Sequence, residues 1–471
     1  MNKVKSIIAT AAPVSLSLIA LPALCFAASV SYNGATTLST DTSVDGTSYA
    51  SSTGSQNALL ATGGSSTITN CKISKAGDSS SENADFYGTN AAVLVYNGAS
   101  LDLNGCTITT SGAHANAVFA YSNGTINISD TKITTSNNNS GGIMVAGGGT
   151  INANNLTVST SGNSSAAIRS DRDGGTLVAN DGSYTTSGVG SPAIYSTANI
   201  TVNDAALTSS ASEGVVIEGA NSVTLNNSSV TDTNTTLNGN SETYKNIFLY
   251  QSMSGDASTG NATFSATESS LTTNKGDTFF VTNTTATINL TNNTILNSVG
   301  DFLRIQSGKW GTQGSNGGNV TLNLDNQKVS SGNIVVDKIS SLTMSLKNKS
   351  VFKGAIDNSN QAKKISLNLS KDSTFVLTAD SYVDTLTNAI SDNSNIYLNG
   401  HMLYVNGTAI SGNTDTYTEP TTDTTDTTAT DTAQKSSFNP LALILCIAGG
   451  ILVAGVIAFF VIRKIKKGKK A

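Results

Sequence analysis

The amino-acid sequence predicts an all-β fold, a single-stranded parallel solenoid of about twelve coils, on three observations. The first is a repeated triplet of short strands. Ala92-Val93-Leu94-Val95, Ser100-Leu101-Asp102-Leu103 and Cys106-Thr107-Ile108-Thr109-Thr110 return as Ala117-Val118-Phe119-Ala120, Thr125-Ile126-Asn127-Ile128 and Thr131-Lys132-Ile133-Thr134-Thr135. With Ala92, Ala117, Gly142, Ala167, Ala193 and Val215 as equivalent positions, the steps are 25, 25, 25, 26 and 22 residues. Such a period marks repeats that cannot bury an apolar face alone and must stack. The second is strict alternation within each strand, so that Val93 and Val95, Leu101 and Leu103, and Ile108 point inward together. Third, only 12% of residues are charged, and Gly, Ser, Thr and Asn fill the turns between β-branched runs, a composition that favours strands over helices.

Stacking at about 4.8 Å puts equivalent residues in ladders. Ile108, Ile133, Val158, Tyr184, Leu207 and Val230 form one such inward row. Parallel pairing is preferred to hairpins because two-residue turn signals between strands are mostly missing. Asn97-Gly98, Asn104-Gly105 and Asn123-Gly124 supply the positive φ angles of tight corners.

Taken in order, residues 1–27 read as a secretory signal, with Lys3 and Lys5 before an apolar stretch and a cleavage site after Ala27. An alternative makes Cys25 an acylated lipoprotein cysteine, against which Leu24 is too large. Residues 28–56 lack clear periodicity and are assigned to an N-terminal cap. The solenoid occupies 57–412, looser in period after Asp232. Near its end Asn399-Gly400 is a two-residue hairpin signal that would cap the last coil unless His401 widens the loop. Residues 413–437 are a Thr/Asp tract with nothing to pack, and are expected to form a disordered, extended stalk. The segment 438–462 is expected to be a membrane helix: an uninterrupted apolar run starts at Leu441 and ends at Ile462, and the basic tail 463–471 would orient it with the body outside the cell. No Leu-Pro-x-Thr-Gly precedes the span, so the span itself is the expected anchor.

Of 26 basic residues, Lys3, Lys5 and six after Ile462 lie at the ends, which leaves 18 against 31 acidic ones between, a balance of −13. Nucleic acid is thereby a poor partner, since phosphate binding requires a basic face. Four cysteines do not make a disulfide scaffold. Cys71 and Cys106, however, fall at the same place in successive coils, where either a disulfide or two small core residues fit. No cofactor or metal site is expected.

Coils of this length with Asn/Gly corners and inward Ile, Val and Leu resemble the right-handed parallel β-helix of the pectin-lyase-like group, in particular its enzyme-free, adhesin-type versions on bacterial surfaces. The resemblance covers roughly residues 57–398 and rests on period and corner chemistry, which do not specify activity. It implies, for the enzymes of the group, carboxylate clusters with a basic residue on one outer face. The local candidate is Arg169, Asp171, Arg172 and Asp173, a possible lyase or hydrolase site, against which stands the reading of a solvated corner, because neighbouring coils offer no stacked acids. Outward Thr rows such as Thr107 and Thr109 are broken by Lys132 and Ala206, and reflect strand propensity. Departures from the period are more informative, since insertions in solenoids map to loops that carry binding. Residues 74–90 and 233–245 enlarge one corner and carry Phe86, Tyr87 and Tyr244; 251–261 and 307–319 enlarge another and carry Lys309 and Trp310, the only tryptophan. These five are candidate contacts for glycans or partner proteins. For Trp310 the alternative is that it folds back over the coil edge.

Overall fold

The structure is a computed structural model and describes residues 30–239 and 241–419. The expected signal segment, the span from Leu441 to Ile462, the basic tail and all but the first residues of the stalk lie outside them. Among the described residues no helix is long and apolar enough to cross a membrane.

The chain winds as a parallel β-solenoid of about fifteen turns, most of them of three short strands. Strands of the first sheet, such as Val93–Val95, Val118–Tyr121 and Ile143–Ala146, pair in parallel register, with Val118 opposite both Val93 and Ile143. The second and third strands of each coil meet at a corner that Gly149–Thr160 and Gly175–Thr186 turn without interruption. The inward row runs as expected through Ile73, Ile108, Ile133, Val158, Tyr184, Leu207 and Val230. Every one of these side chains is buried. At the corner one residue per coil takes positive φ, from Asn70 (53°) through Asp130 (48°), Asn155 (52°), Asp181 (56°) and Asp204 (55°) to Asn348 (53°). Asn and Asp tolerate this conformation because their short polar side chains bond locally. Here they bond along the rod, as Asn155 donates to Asp130 at 2.6 Å and Asn227 to Asp204 at 2.5 Å.

Four expectations are corrected. The repeat begins at Gly34, within the segment assigned to a cap: Gly34–Leu38, Thr42–Asp45 and Ser48–Ser51 form a full coil paired in parallel with the next. Its period was hidden because Thr36 stands in register with Leu59 and only Leu38, Val44 and Tyr49 keep the apolar pattern. With that coil and the ones after 354, the turns number about fifteen rather than twelve, a rod of about 70 Å. Val215 lies opposite Ile194, so Gly214 is the true equivalent of Ala193. A Cβ at Gly214 would collide with Asn246 and Val230. Finally, the terminal hairpin forms at Asn406-Gly407, where Leu403–Val405 turns back on Thr408–Ala409. Asn399-Gly400 instead makes an ordinary corner, followed by a strand parallel to Ser381–Val383.

Cys71 and Cys106 form a disulfide between adjacent coils, their Cα atoms 4.6 Å apart and 35 residues separating them in sequence. Closing a loop of that length removes denatured-state entropy worth about 3–4 kcal/mol at most. Reduction with dithiothreitol is expected to lower the melting temperature of the purified protein by several degrees, and Cys71→Ala to reproduce the reduced value. An unchanged transition on reduction would show that the pair contributes no stability.

Candidate functional site

From the second strand onward, each strand of the first sheet presents one central side chain outward. In register these are Leu60, Leu94, Phe119, Met144, Arg169, Tyr195, Val216, Phe248, Phe280, Arg304 and Val335. Apart from Arg169, Tyr195, Arg304 and Val335 they are buried although they face away from the core. Two satellite apolar clusters result. Leu60, Leu94, Phe119 and Met144 pack with Tyr32, Tyr96 and Tyr121; Val216, Phe248, Tyr250 and Phe280 pack with Tyr195 and Trp310. What covers them are the insertions, which flank this sheet on both sides: 74–90 and 233–245 lead into its strands, 251–261 and 307–317 lead away.

The 74–90 insertion folds as a short helix, α1 (Glu82–Tyr87), capped by the Ser81 hydroxyl, which accepts from Asn83 N at 3.1 Å, and closed by Gly88 at φ 72°. A Cβ at Gly88 would strike Leu94 and Phe119, which shows how closely the helix end lies on the sheet. Asp85 of α1 meets His114 Nδ1 at 2.8 Å.

Between the clusters lies the charged centre. Arg169 Nη2 bonds Asp171 Oδ2 at 2.9 Å, and both are largely buried. Burial holds the Asp171 carboxyl above its ordinary range, against the opposing pull of the Arg169 guanidinium. Arg172 donates from Nε to Asp256 Oδ1 at 2.7 Å, and its guanidinium lies 3.5 Å from the centre of the Phe86 ring. One side chain thus ties α1 to the 251–261 loop. Asp173 is exposed at a corner with φ 63° and does not join Asp171. The four sequence candidates are therefore two separate ion pairs and a solvated corner, not a carboxylate dyad.

The structure adds Glu218, which sequence reasoning missed. It is buried and accepts from Tyr195 Oη at 2.6 Å, Tyr250 Oη at 2.9 Å and the Ser252 hydroxyl. Burial, with the Glu218 carboxylate beside it, pushes the Tyr195 phenol well up. A signal existed: Glu218 follows Val215 by three residues, as Asp171 follows Ile168, at the same offset in two coils.

Each of the candidate contact residues makes a contact within the protein. Trp310 packs on Phe248 and Tyr250, with ring centres 5.3 Å from each, the fold-back alternative. Lys309 Nζ reaches Glu242 Oε1 at 3.3 Å and joins two insertions across exposed surface. Tyr87 meets Tyr121 edge-on at 5.4 Å. Lys275 sits over the Tyr244 ring at 3.8 Å.

Ordinary coils close the corner before the first sheet with a threonine staple: Thr135, Thr160 and Thr186 donate to Ser140 O, Ser165 O and Ser191 O at 2.5, 2.5 and 2.6 Å. Where the two insertions begin, the same column holds Lys75 and Asp232. Lys75 Nζ donates to Thr53 O and Gly77 O at 2.8 Å each, and burial lowers its pKa to about 8. Asp232 is pushed up to about 7 by burial and by the nearby Glu213, which itself pairs with the buried Lys245 at 3.2 Å. Because the folded state holds the Asp232 proton more tightly than the unfolded chain, its contribution is full below about pH 4 and is lost as pH rises to 7. Asp232→Asn is accordingly expected to raise the melting temperature at pH 8, by up to about 4 kcal/mol in stability, and to leave it unchanged at pH 4. Equal effects at both pH values in thermal scans would contradict the assignment.

Among the described residues no group of three or more His, Cys, Asp or Glu side chains is placed to hold a metal. Compared with protein-family models, curated proteins and solved structures, the chain matches none.

Proposed function

We propose that the chain is a single-span membrane protein that displays a right-handed, adhesin-like β-helix outside the cell and acts by binding glycans or the proteins of a neighbouring surface, without turnover. The observation that carries this reading is the outward face of the first sheet, where four insertions converge to build aromatic and charged layers on an otherwise plain rod. Loops held rigid by a scaffold are where solenoids bind. The carboxylates at the centre of that face are occupied by Arg169 and by three hydroxyl groups, an arrangement suited to holding shape rather than moving protons.

Residues 28–412 applied to arrays of glycans and matrix proteins are expected to bind at micromolar concentration and to release no sugar from acidic or neutral polysaccharides. Release that is lost in Asp171→Asn while circular dichroism shows the variant still folded would establish the alternative, a membrane-anchored lyase or hydrolase. Absence of any binding would favour a structural role in the cell envelope. The anchor has a separate test: the protein should require detergent for extraction, and its release by wall-degrading enzyme alone would refute the span.

A further inference from the structure

Beyond Arg304 the outward face of the first sheet loses its bulky column. Val335 is half-exposed and the residue in register with it in the next coil is Asp357, whose carboxylate is turned into its own loop, so the surface sinks between the loop that follows Val336 and the one that follows Ile356. The result is a cleft of about 610 Å³, within the size range of small-ligand sites. Its floor is Val335, Ala355 and Ala379, and its rim carries Asp337, Asp357 and Gln361.

The rim is preorganised by backbone. Asp337 Oδ2 accepts from Ser307 N at 2.8 Å and Oγ at 3.0 Å, and its Oδ1 from Ile339 N at 3.2 Å. Asp357 accepts from Gln361 N at 3.0 Å and Ala362 N at 2.9 Å. Both carboxylates are thereby fixed; Asp337, which also accepts from the Ser340 side chain, has its acceptor sites filled, whereas the buried Asp357 accepts one backbone bond on each oxygen and keeps lone pairs for further donors. Along the rod the strand over Ile356 brings Tyr382, bonded through N to Ile356 O at 3.0 Å, with its ring stacked on Tyr404 at 4.8 Å and an interplanar angle of 5°. Both rings are half-exposed. An apolar floor, fixed acceptors and a flat aromatic surface one coil away suit a ring with hydroxyl donors and an apolar face. Two carboxylates against the single ammonium of Lys338 disfavour an anion.

From this we infer that the cleft binds one ring of a neutral, hydroxyl-rich saccharide whose chain continues over Tyr382 and Tyr404. The inference rests on the binding reading above and names its ligand class and place. It is tested with the full-length protein in a sugar-free detergent, titrated calorimetrically with cellotetraose, mannotetraose, chitotetraose and, as a charged comparator, tetragalacturonate. At least one neutral tetrasaccharide is expected to bind with a Kd on the order of 0.1–1 mM, and both Val335→Trp, which fills the cleft, and Tyr382→Ala, which removes the platform, to weaken it at least tenfold. Because Tyr382 is half-exposed, its variant keeps the test valid should the tryptophan perturb folding. Failure of all three neutral sugars to bind overturns the inference, as does tighter binding of tetragalacturonate. Binding that neither variant alters overturns it too, while leaving the general binding reading intact.

Discussion

Phe302→Ala is expected to cost about 3–5 kcal/mol and to loosen one stretch of the rod before the rest. Phe302 is buried in an interior aromatic series, edge-on to Phe279 at 5.6 Å and 6.0 Å from Phe352, with Phe264 and Phe375 continuing the series on either side. The five rings link five successive coils, so truncation of the middle one leaves a cavity that neighbours on both sides line. Close-packed rigid rings collapse poorly into such a space. Since each coil of a solenoid contacts only its neighbours, the damage should stay local. Hydrogen exchange is expected to show faster opening of the coils from 277 to 377 and unchanged protection between 93 and 232. Uniform loss of protection along the chain would contradict nearest-neighbour stability.

Asp171→Asn is expected to destabilise the fold by about 3 kcal/mol or more. The loss arises from the partner left behind: Arg169 would keep its charge in a buried place, and its Nη1 has no hydrogen-bond partner even with Asp171 intact. A double variant, Arg169→Met with Asp171→Leu, removes both charges and is expected to recover most of the loss. Urea titration of the single and double variants measures the coupling directly. Equal destabilisation in the single and double variants would mean that packing, not the stranded charge, sets the cost.

How far each feature could be read beforehand follows from its physics. The inward ladders were legible because a buried position in a stack admits only apolar side chains, so Ile108, Ile133 and Val158 repeat in the sequence as they do in space. The first coil was not, since Thr36 and its neighbours at the rod's end meet weaker demands for apolarity. Insertion positions were visible as breaks in period, and both pairs of loops do flank one sheet. Their purpose was not visible: whether Trp310 or Phe86 projects into solvent or latches a loop depends on Phe248, Tyr250 and Arg172, which lie 60 or more residues away in sequence. Glu218 was missed for a related reason. A carboxylate after an apolar strand looks like a solvated corner until three hydroxyls from two other coils are found around it. The cleft near Val335 arises where side chains become small or, as at Asp357, turn into their own loop, and absence of bulk leaves no motif.

The central claim is that binding belongs to the outward face of the first sheet and not to the other two sides of the rod. Residues 28–412 contain only the bonded pair Cys71 and Cys106, so single cysteines can be placed on each side and coupled to a bulky maleimide polymer. The positions are Lys309 and Asn358 beside the first sheet, Asn152 on the second and Ser159 on the third, all exposed or bordering solvent. Binding to array features is expected to be abolished by polymer at Lys309→Cys or Asn358→Cys and preserved with polymer at Asn152→Cys and Ser159→Cys. Loss of binding from the second or third side, with the first-sheet adducts still active, would contradict the account.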